Sequence, residues 1–379
     1  MRAFDYIVTF LVAFGVSAGV LPLVIRFAHR LGAVDRPDAR RVHRGEIPRL
    51  GGIGIALGFA VGVGAGLLVA GRAHAVMGEA HNQAWYGTAI GLGLIFAAGL
   101  LDDLYQFRPQ TKLLLQVLAA GTAVSTGVTV DAVTLPFGSS PWSLGALGPV
   151  AAFAWILLVT NALNLVDGLD GLAGGLTLIM AAPVAAVALT TDQFAAVVCA
   201  TALAGSVMGF LRYNFAPARI FMGDGGSQFL GFALAVISLR GSTKGTTAIA
   251  ILVPLLAFGL PILDLGMAIF RRTLRDREEE QGSAAVRALR RIGRADREHL
   301  HHNLLDLGFS PRKAVLALYT IAGLFAVSAY LMVATNSVVL AIFTLAASVG
   351  SVAAIKLVFR AGEGRRAAAA ALDGPARHV

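Results

Sequence analysis

The sequence predicts an all-α polytopic membrane protein, about 11 helices packed as a bundle across a bilayer, and three observations lead there. Of 379 residues, 56% are hydrophobic and only 14% are charged, against about 25% charged in an average soluble domain. Apolar runs of roughly 18 residues or more recur along the chain, each long enough to cross a ~30 Å hydrocarbon layer as a helix. They are continuously apolar and do not alternate with period two, as the strands of a membrane barrel would. Backbone groups inside lipid must bond within their own segment, so each run reads as a helix.

The spans follow in order at 5–25, 51–70, 84–101, 112–127, 148–163, 171–190, 193–211, 226–240, 245–269, 313–333 and 337–356. The first is longer than the apolar core of a signal peptide and runs into Arg26 and Arg30, so it reads as a retained helix. The second opens with Gly51-Gly52-Ile53-Gly54 and continues to Gly58. No strand precedes these glycines, and small residues four apart point to close helix packing, not to a dinucleotide fingerprint. The seventh holds Cys199, the only cysteine, which rules out an internal disulfide. The ninth carries Pro254 and Pro261, residues that kink helices. Residues 1–360 form the membrane domain, and 361–379, rich in Ala, Arg and Gly, read as a disordered tail.

Charge placement sets the orientation. Of the 31 Lys and Arg, all but Arg2, Arg72, Arg240 and Lys244 fall in the loops 26–50, 102–112, 164–171, 212–227 and 270–313 and in the tail. Basic loops stay inside, so the N-terminus is expected outside and the tail in the cytoplasm. The same rule accounts for the net charge of +9 without invoking nucleic acid.

The polar residues of interest fall on that same cytoplasmic side. A charge at the centre of a span costs roughly 2.5–3.5 kcal/mol, so their placement is informative. Asp102 and Asp103 follow the third span, where paired carboxylates can bind a metal or accept a proton. Asn164, Asp167 and Asp170 follow the fifth and recur every third residue, which would align them on one side of a helical turn. Gly168 and Gly171 beside them admit close approach of a ligand. Asp224 precedes the eighth span within RIFMGDGGS; Gly225-Gly226-Ser227 then open a helix whose free N–H groups favour phosphate. Asp224 adds a hard oxygen ligand suited to Mg²⁺. His299, His301 and His302 lie in the loop before the tenth span; with no cysteine near, they suit a pyrophosphate or sugar better than zinc. Glu278-Glu279-Glu280 reads as a solvated charged helix.

Five segments carry a resemblance: RRVHRGEIPRLGGIGI, GLLDDLYQF with TKLLLQ, NALNLVDGLDGLAGG, NFAPARIFMGDGGSQFLGF and DREHLHHNLLDLGFSPR. In this order, across residues 41–312, they resemble the polyprenyl-phosphate N-acetylhexosamine-1-phosphate transferases. HLHH followed by LDLGFS is similar to the branch that uses UDP-GlcNAc; the peptidoglycan branch, phospho-MurNAc-pentapeptide transferase, usually shows three consecutive histidines, and Leu300 interrupts them here. The stretch of roughly 275–295 is longer than the family's usual loop.

The resemblance implies attack of a polyprenyl phosphate on the β-phosphorus of UDP-GlcNAc, with release of UMP, in a bacterial plasma membrane and with the site facing the cytoplasm. Carried over motif by motif, Asp224 and Asn164 would hold Mg²⁺, with Mn²⁺ as the alternative. Phe221 would stack on uracil, with Asp170 and the Gly168 backbone reading its edge. Lys112 would contact phosphate, Asp102 and Asp103 would position or deprotonate the lipid phosphate, and Asp167 would complete the catalytic group. His299, His301 and His302, with Arg294 or Arg297, would hold the diphosphate and sugar. The small-residue-rich spans permit a homodimer. The competing readings are the peptidoglycan transferase and a nucleotide-sugar transporter, whose site would sit near the bilayer midplane.

Overall fold

The computed structural model describes residues 2–35, 45–71, 83–133, 142–242, 254–275 and 299–335, and most of 337–354. Its principal helices are α1 (Arg2–Leu31), α2 (Gly52–Val69), α3 (Gln83–Tyr105), α4 (Pro109–Ser125), α5 (Leu147–Val166), α6 (Leu172–Thr190), α7 (Phe194–Asn214), α8 (Gly223–Ser242), α9 (Gly259–Arg275), α10 (Leu300–Asp306) and α11 (Pro311–Thr335). Two minimal antiparallel pairings join them, Val34–Asp35 (β1) with Ile47–Pro48 (β2), and Ala132–Val133 (β3) with Trp142–Ser143 (β4).

The axis of the bundle is α8, which packs against α2, α3, α5, α6 and α7. Every side chain from Gly225 to Leu239 is buried, the pattern of a helix enclosed by protein on all sides. That enclosure lets α8 carry Ser227, Gln228 and Ser238 buried, because other helices supply their surroundings. The peripheral helices behave in the opposite way. Phe4, Leu68, Leu114, Phe270 and Tyr330 are all exposed, which would promote association in water and suits contact with lipid.

Small residues bring α1, α2 and α7 into backbone contact. A Cβ on Gly58 would lie 2.7 Å from the Ala13 carbonyl, and one on Gly209 would lie 2.7 Å from the Phe14 carbonyl. The Gly-rich start of the second span is therefore a packing face, as its four-residue spacing predicts.

Among the described residues, seven helices are long and apolar enough to cross a membrane: those of the first, second, third, fifth, sixth, seventh and tenth expected spans. Other expected boundaries differ. The third span does not stop at residue 101, because α3 continues to Tyr105 and carries Asp102 and Asp103 inside its last turn. Hydropathy fails there because both carboxylates turn inward onto α8 and are buried. The expected loop 102–112 contracts to 106–108, since α4 already starts at Pro109. Residues 245–253 of the ninth span lie outside the described residues. The rest forms a turn over 254–257 and then α9, with the break at Phe258. Residues 361–379 and Glu278-Glu279-Glu280 also lie outside the described residues.

Candidate active site

Helix ends remote in sequence meet at one end of the bundle. Asp103, in the last turn of α3, reaches the first turn of α8: its two oxygens accept hydrogen bonds from the backbone N–H of Asp224 (2.8 Å) and Gly225 (3.0 Å). It is an N-cap supplied by another helix, meeting the need of the exposed N–H groups there. Gly223 permits the approach, with φ +73° and no room for a Cβ beside the Arg49 carbonyl and the Asp103 carboxylate. The expectation that these N–H groups stand free for phosphate is corrected for two of them, because Asp103 occupies them. The helix also opens at Gly223, ahead of Asp224.

Asp102 meets the same junction through Lys112. One oxygen accepts from the Phe107 N–H (2.6 Å) and the other pairs with Lys112 Nζ (2.5 Å). The same ammonium lies 2.6 Å from Asp224 Oδ2, so Lys112 bridges two carboxylates. The three-residue turn 106–108 brings Lys112 back over Asp102. Asp224 Oδ1 accepts from Asn164 Nδ2 (3.0 Å), which also donates to Ser227 Oγ (2.8 Å). One helical turn deeper, Asn161 donates to Gln116 (2.9 Å) and Gln116 to Gln228 (3.2 Å). Helices α4, α5 and α8 thus each contribute to two stacked polar layers, the upper charged and the lower neutral.

The expected alignment of Asn164, Asp167 and Asp170 on one helical side is also corrected. Helix α5 ends at Val166, and Asp167 is its C-cap. Only Asn164 remains on the helix; Asp170 lies in the following turn, where it accepts from the Ala218 N–H (2.9 Å). Asn214 stitches the same turn, accepting from Gly171 N and donating to the Ile220 carbonyl. Burial, with Asp224 and Asp170 adding like charge, pushes the Asp167 carboxyl up to about 7. The Phe221 backbone is bonded to Pro48 and Gly51, placing its residue beside the start of α2.

The histidines arrive on α10. His299 is its N-cap residue, and His299 Nδ1 lies 3.1 Å from Asp264 Oδ2 on α9. The His299 and His301 rings stack at 5.9 Å, and His301 and His302 are 4.3 Å apart. His301 abuts the turn after α5: a Cβ on Gly168 would lie 2.5 Å from His301 Nε2. Burial, and then His302, hold the His301 imidazole down at about 4, in its neutral form at pH 7. His299 and His301 are buried and only His302 is half-exposed. Arg294 and Arg297 lie outside the described residues.

Asp264, Arg49, Asn214 and the Gln116–Asn161–Gln228 chain had no individual place in the reading of the sequence. Asp264 had a signal, a carboxylate inside an apolar run. Gln116 and Gln228 each follow a charged site residue by four positions, and Asn161 precedes Asn164 by three, the helical spacing of a second layer.

Comparison with known proteins then decides the family. The model of glycosyl transferase family 4 matches residues 85–242, which is α3 through α8. A Bacillus subtilis protein named as a probable undecaprenyl-phosphate N-acetylglucosaminyl 1-phosphate transferase is 36% identical over 87% of this chain and 86% of its own. A Mycobacterium tuberculosis decaprenyl-phosphate N-acetylglucosaminephosphotransferase is 34% identical over 80% of this chain and 76% of its own. The chain belongs to glycosyl transferase family 4. A phospho-N-acetylmuramoyl-pentapeptide-transferase from Moorella thermoacetica is 36% identical, over 59% of this chain and 71% of its own. The residues matched by the family 4 model include both polar layers but end before the histidine helix.

The donor set of this family 4 chain suits a hard divalent cation. Asp102, Asp103, Asp167 and Asp224 crowd the mouth, with the Lys112 ammonium on two of them and Arg49 near Asp103. The Asn164 amide directs its N–H groups to Asp224 and Ser227, which leaves its carbonyl oxygen as a ligand. Among the described residues, no three acidic, histidine or cysteine side chains form a closed metal cage. An ion that keeps waters and takes substrate phosphate oxygens needs none.

Proposed function

We propose that this protein transfers N-acetylglucosamine 1-phosphate from UDP-GlcNAc to a polyprenyl phosphate, releasing UMP and leaving polyprenyl-diphospho-GlcNAc in the membrane. The observation that carries the reading is the junction where Lys112 bridges Asp102 and Asp224, in a chain 34–36% identical to relatives named for that reaction. A phosphate oxygen of the lipid forms a bond to the sugar-bearing phosphorus, the bond from that phosphorus to the UMP oxygen breaks, and UMP leaves with the electron pair. A phosphate monoester has its second pKa at about 6, so the nucleophile is already largely ionised. The protein's task is alignment and charge neutralisation.

Asp224 and Asn164 would hold Mg²⁺, or Mn²⁺, which when bound neutralises the diphosphate. Lys112 exchanges its carboxylate partners for phosphate as substrate enters. Asp102 orients Lys112 and the lipid phosphate, and Asp103 acts on the backbone that presents Asp224. Phe221 stacks on uracil, with Asp170 and the Gly168 backbone at its edge. His302 reaches the diphosphate-sugar, with His299 and His301 behind it and Arg294 or Arg297 nearby. The site faces the cytoplasm of a bacterial cell, in a bundle of eleven spans with the N-terminus outside, an orientation supported by the distribution of Lys and Arg.

Purified protein incubated with polyprenyl phosphate and Mg²⁺ should release UMP from UDP-GlcNAc and not from UDP-MurNAc-pentapeptide. Release from the pentapeptide donor alone would assign the peptidoglycan reaction, the second reading supported by the Moorella relative. Release from neither would leave a carrier as the better account.

A further inference from the structure

Asp264 lies in the apolar sequence GLPILDLGMAIF, and its side chain is buried. An ionisable group in such a segment is costly unless it is paired, and its partner is commonly functional. Both Asp264 oxygens go to α10: Oδ2 lies 3.1 Å from His299 Nδ1, and Oδ1 accepts from the Leu300 N–H at 3.0 Å. A helix usually takes its capping oxygen from its own N-cap residue. Here the N-cap residue is His299, which makes no such bond, and the oxygen comes from α9.

We propose that Asp264 is a positioning residue for the histidine arm, anchoring the start of α10 and fixing the His299 ring so that His301 and His302 stand at the substrate mouth. Helix α10 has seven residues, too few to hold itself in place, so its anchors decide where it sits. Contacts run without a gap from α9 to the candidate site. Asp264 holds His299, His299 stacks on His301, and His301 lies against Gly168 in the turn after α5. A carboxylate only accepts hydrogen bonds, so Nδ1 of His299 carries the hydrogen and the ring cannot exchange its two nitrogens. Of the residues placed at the uracil and the metal, Phe221, Asp170 and Asp224 make no part of this chain of contacts, which meets that group only at Gly168. Asp264 therefore governs the sugar-diphosphate end of the donor and leaves the metal requirement alone.

The inference rests on the proposed transferase reaction, and its test separates the two. Asp264→Asn preserves the size of the side chain and can still accept from Leu300, but it turns an N–H group toward His299 Nδ1. The expected result is a kcat/KM for UDP-GlcNAc lower by about 10-fold, carried mainly by KM, as for other partners that orient a working histidine. The KM for polyprenyl phosphate and the Mg²⁺ dependence should stay at wild-type values. His299→Gln should cost a similar factor, and the double variant no more than the worse single one, since both break one contact. ¹⁵N-histidine spectra of the wild-type protein should show a protonated Nδ1 that Asp264→Asn removes. This readout needs no activity, so it still tests the contact if the wild type releases no UMP. Wild-type kinetics in Asp264→Asn, multiplying losses in the double variant, or an unchanged Nδ1 signal would each overturn the proposal. Should Asp264→Asn not fold, His299→Gln with the same spectra decides it: unchanged kinetics refute it, and a KM-borne loss supports it.

Discussion

The carboxylate junction and the histidine arm meet at the turn after α5, yet they are held by different means. At the junction, long helices meet end to end: α3 caps α8 through Asp103, and the tight turn before α4 returns Lys112 to Asp102. Most of the groups that matter sit within a turn of a helix terminus, on elements that the bundle already fixes. The arm is a seven-residue helix tied to α9 by Asp264 and resting against Gly168. A site built this way can have one rigid half that sets charge and one adjustable half that meets the sugar. If so, damage at the junction should remove turnover, whereas damage at the arm should weaken donor binding.

The sharpest way to break that contrast is at Asp224. Asp224→Ala removes the acceptor of Asn164 and Lys112 together, and kcat for UMP release should fall by about 1,000-fold or more, as for a group acting on transition-state charge. Raising Mg²⁺ should not restore it. A variant with normal kcat and only a raised KM would erase the distinction between the two halves.

Asp103 comes next. As a cap, its carboxylate accepts one N–H on each oxygen; Asn keeps one acceptor oxygen for that pair and Ala keeps none. Asp103→Asn should therefore keep activity within about 10-fold of wild type, whereas Asp103→Ala should lose about 1 kcal/mol of stability or more along with most of kcat. Equal and complete loss in both variants, with recovery of Asp103→Asn at high pH, would make Asp103 a base.

Much of this was legible in the sequence, and the reasons for the rest are physical. Apolar runs located the lipid-facing helices, and the motif residues do gather at one end. Hydropathy closed the third span too soon because it scores Asp102 and Asp103 as solvated, whereas in the fold they satisfy backbone N–H groups and Lys112 from other helices. Three-residue spacing suggested one helical side for Asn164, Asp167 and Asp170, but spacing does not reveal that the chain leaves the helix at Asp167. The Asp264–His299 contact joins positions 35 residues apart, and no local pattern announces such a pair.

A smaller effect divides the two halves by pH. Asp167 at about 7 lies above its ordinary carboxylate value, so the unfolded chain ionises first as pH rises and the folded state loses stability between about pH 4 and 7. His301 at about 4 lies below the ordinary value of about 6.5, so the unfolded chain takes up its proton first as pH falls and stability is lost over that window from above. Asp167→Asn in the metal-free, substrate-free protein should remove only the first slope. Thermal unfolding in detergent should then show a gain on the order of 2–4 kcal/mol at pH 8 that shrinks toward pH 5. A gain that is constant with pH would place the cause elsewhere than in the carboxyl charge.

The least disruptive probe lies one turn below the charges. Gln116 accepts from Asn161 and donates to Gln228, tying α4, α5 and α8 together beneath Lys112, Asn164 and Asp224. Gln116→Met is close in volume but severs both bonds and leaves the buried Gln228 and half-buried Asn161 amides each short of a partner, a loss of roughly 1–3 kcal/mol in stability. If the deeper layer sets the register of the charged one, kcat should fall several-fold with KM for UDP-GlcNAc unchanged, the reverse of the Asp264→Asn pattern. If instead the change moves KM and spares kcat, the junction is not the rigid half, because a layer that only the junction touches would then be controlling the donor.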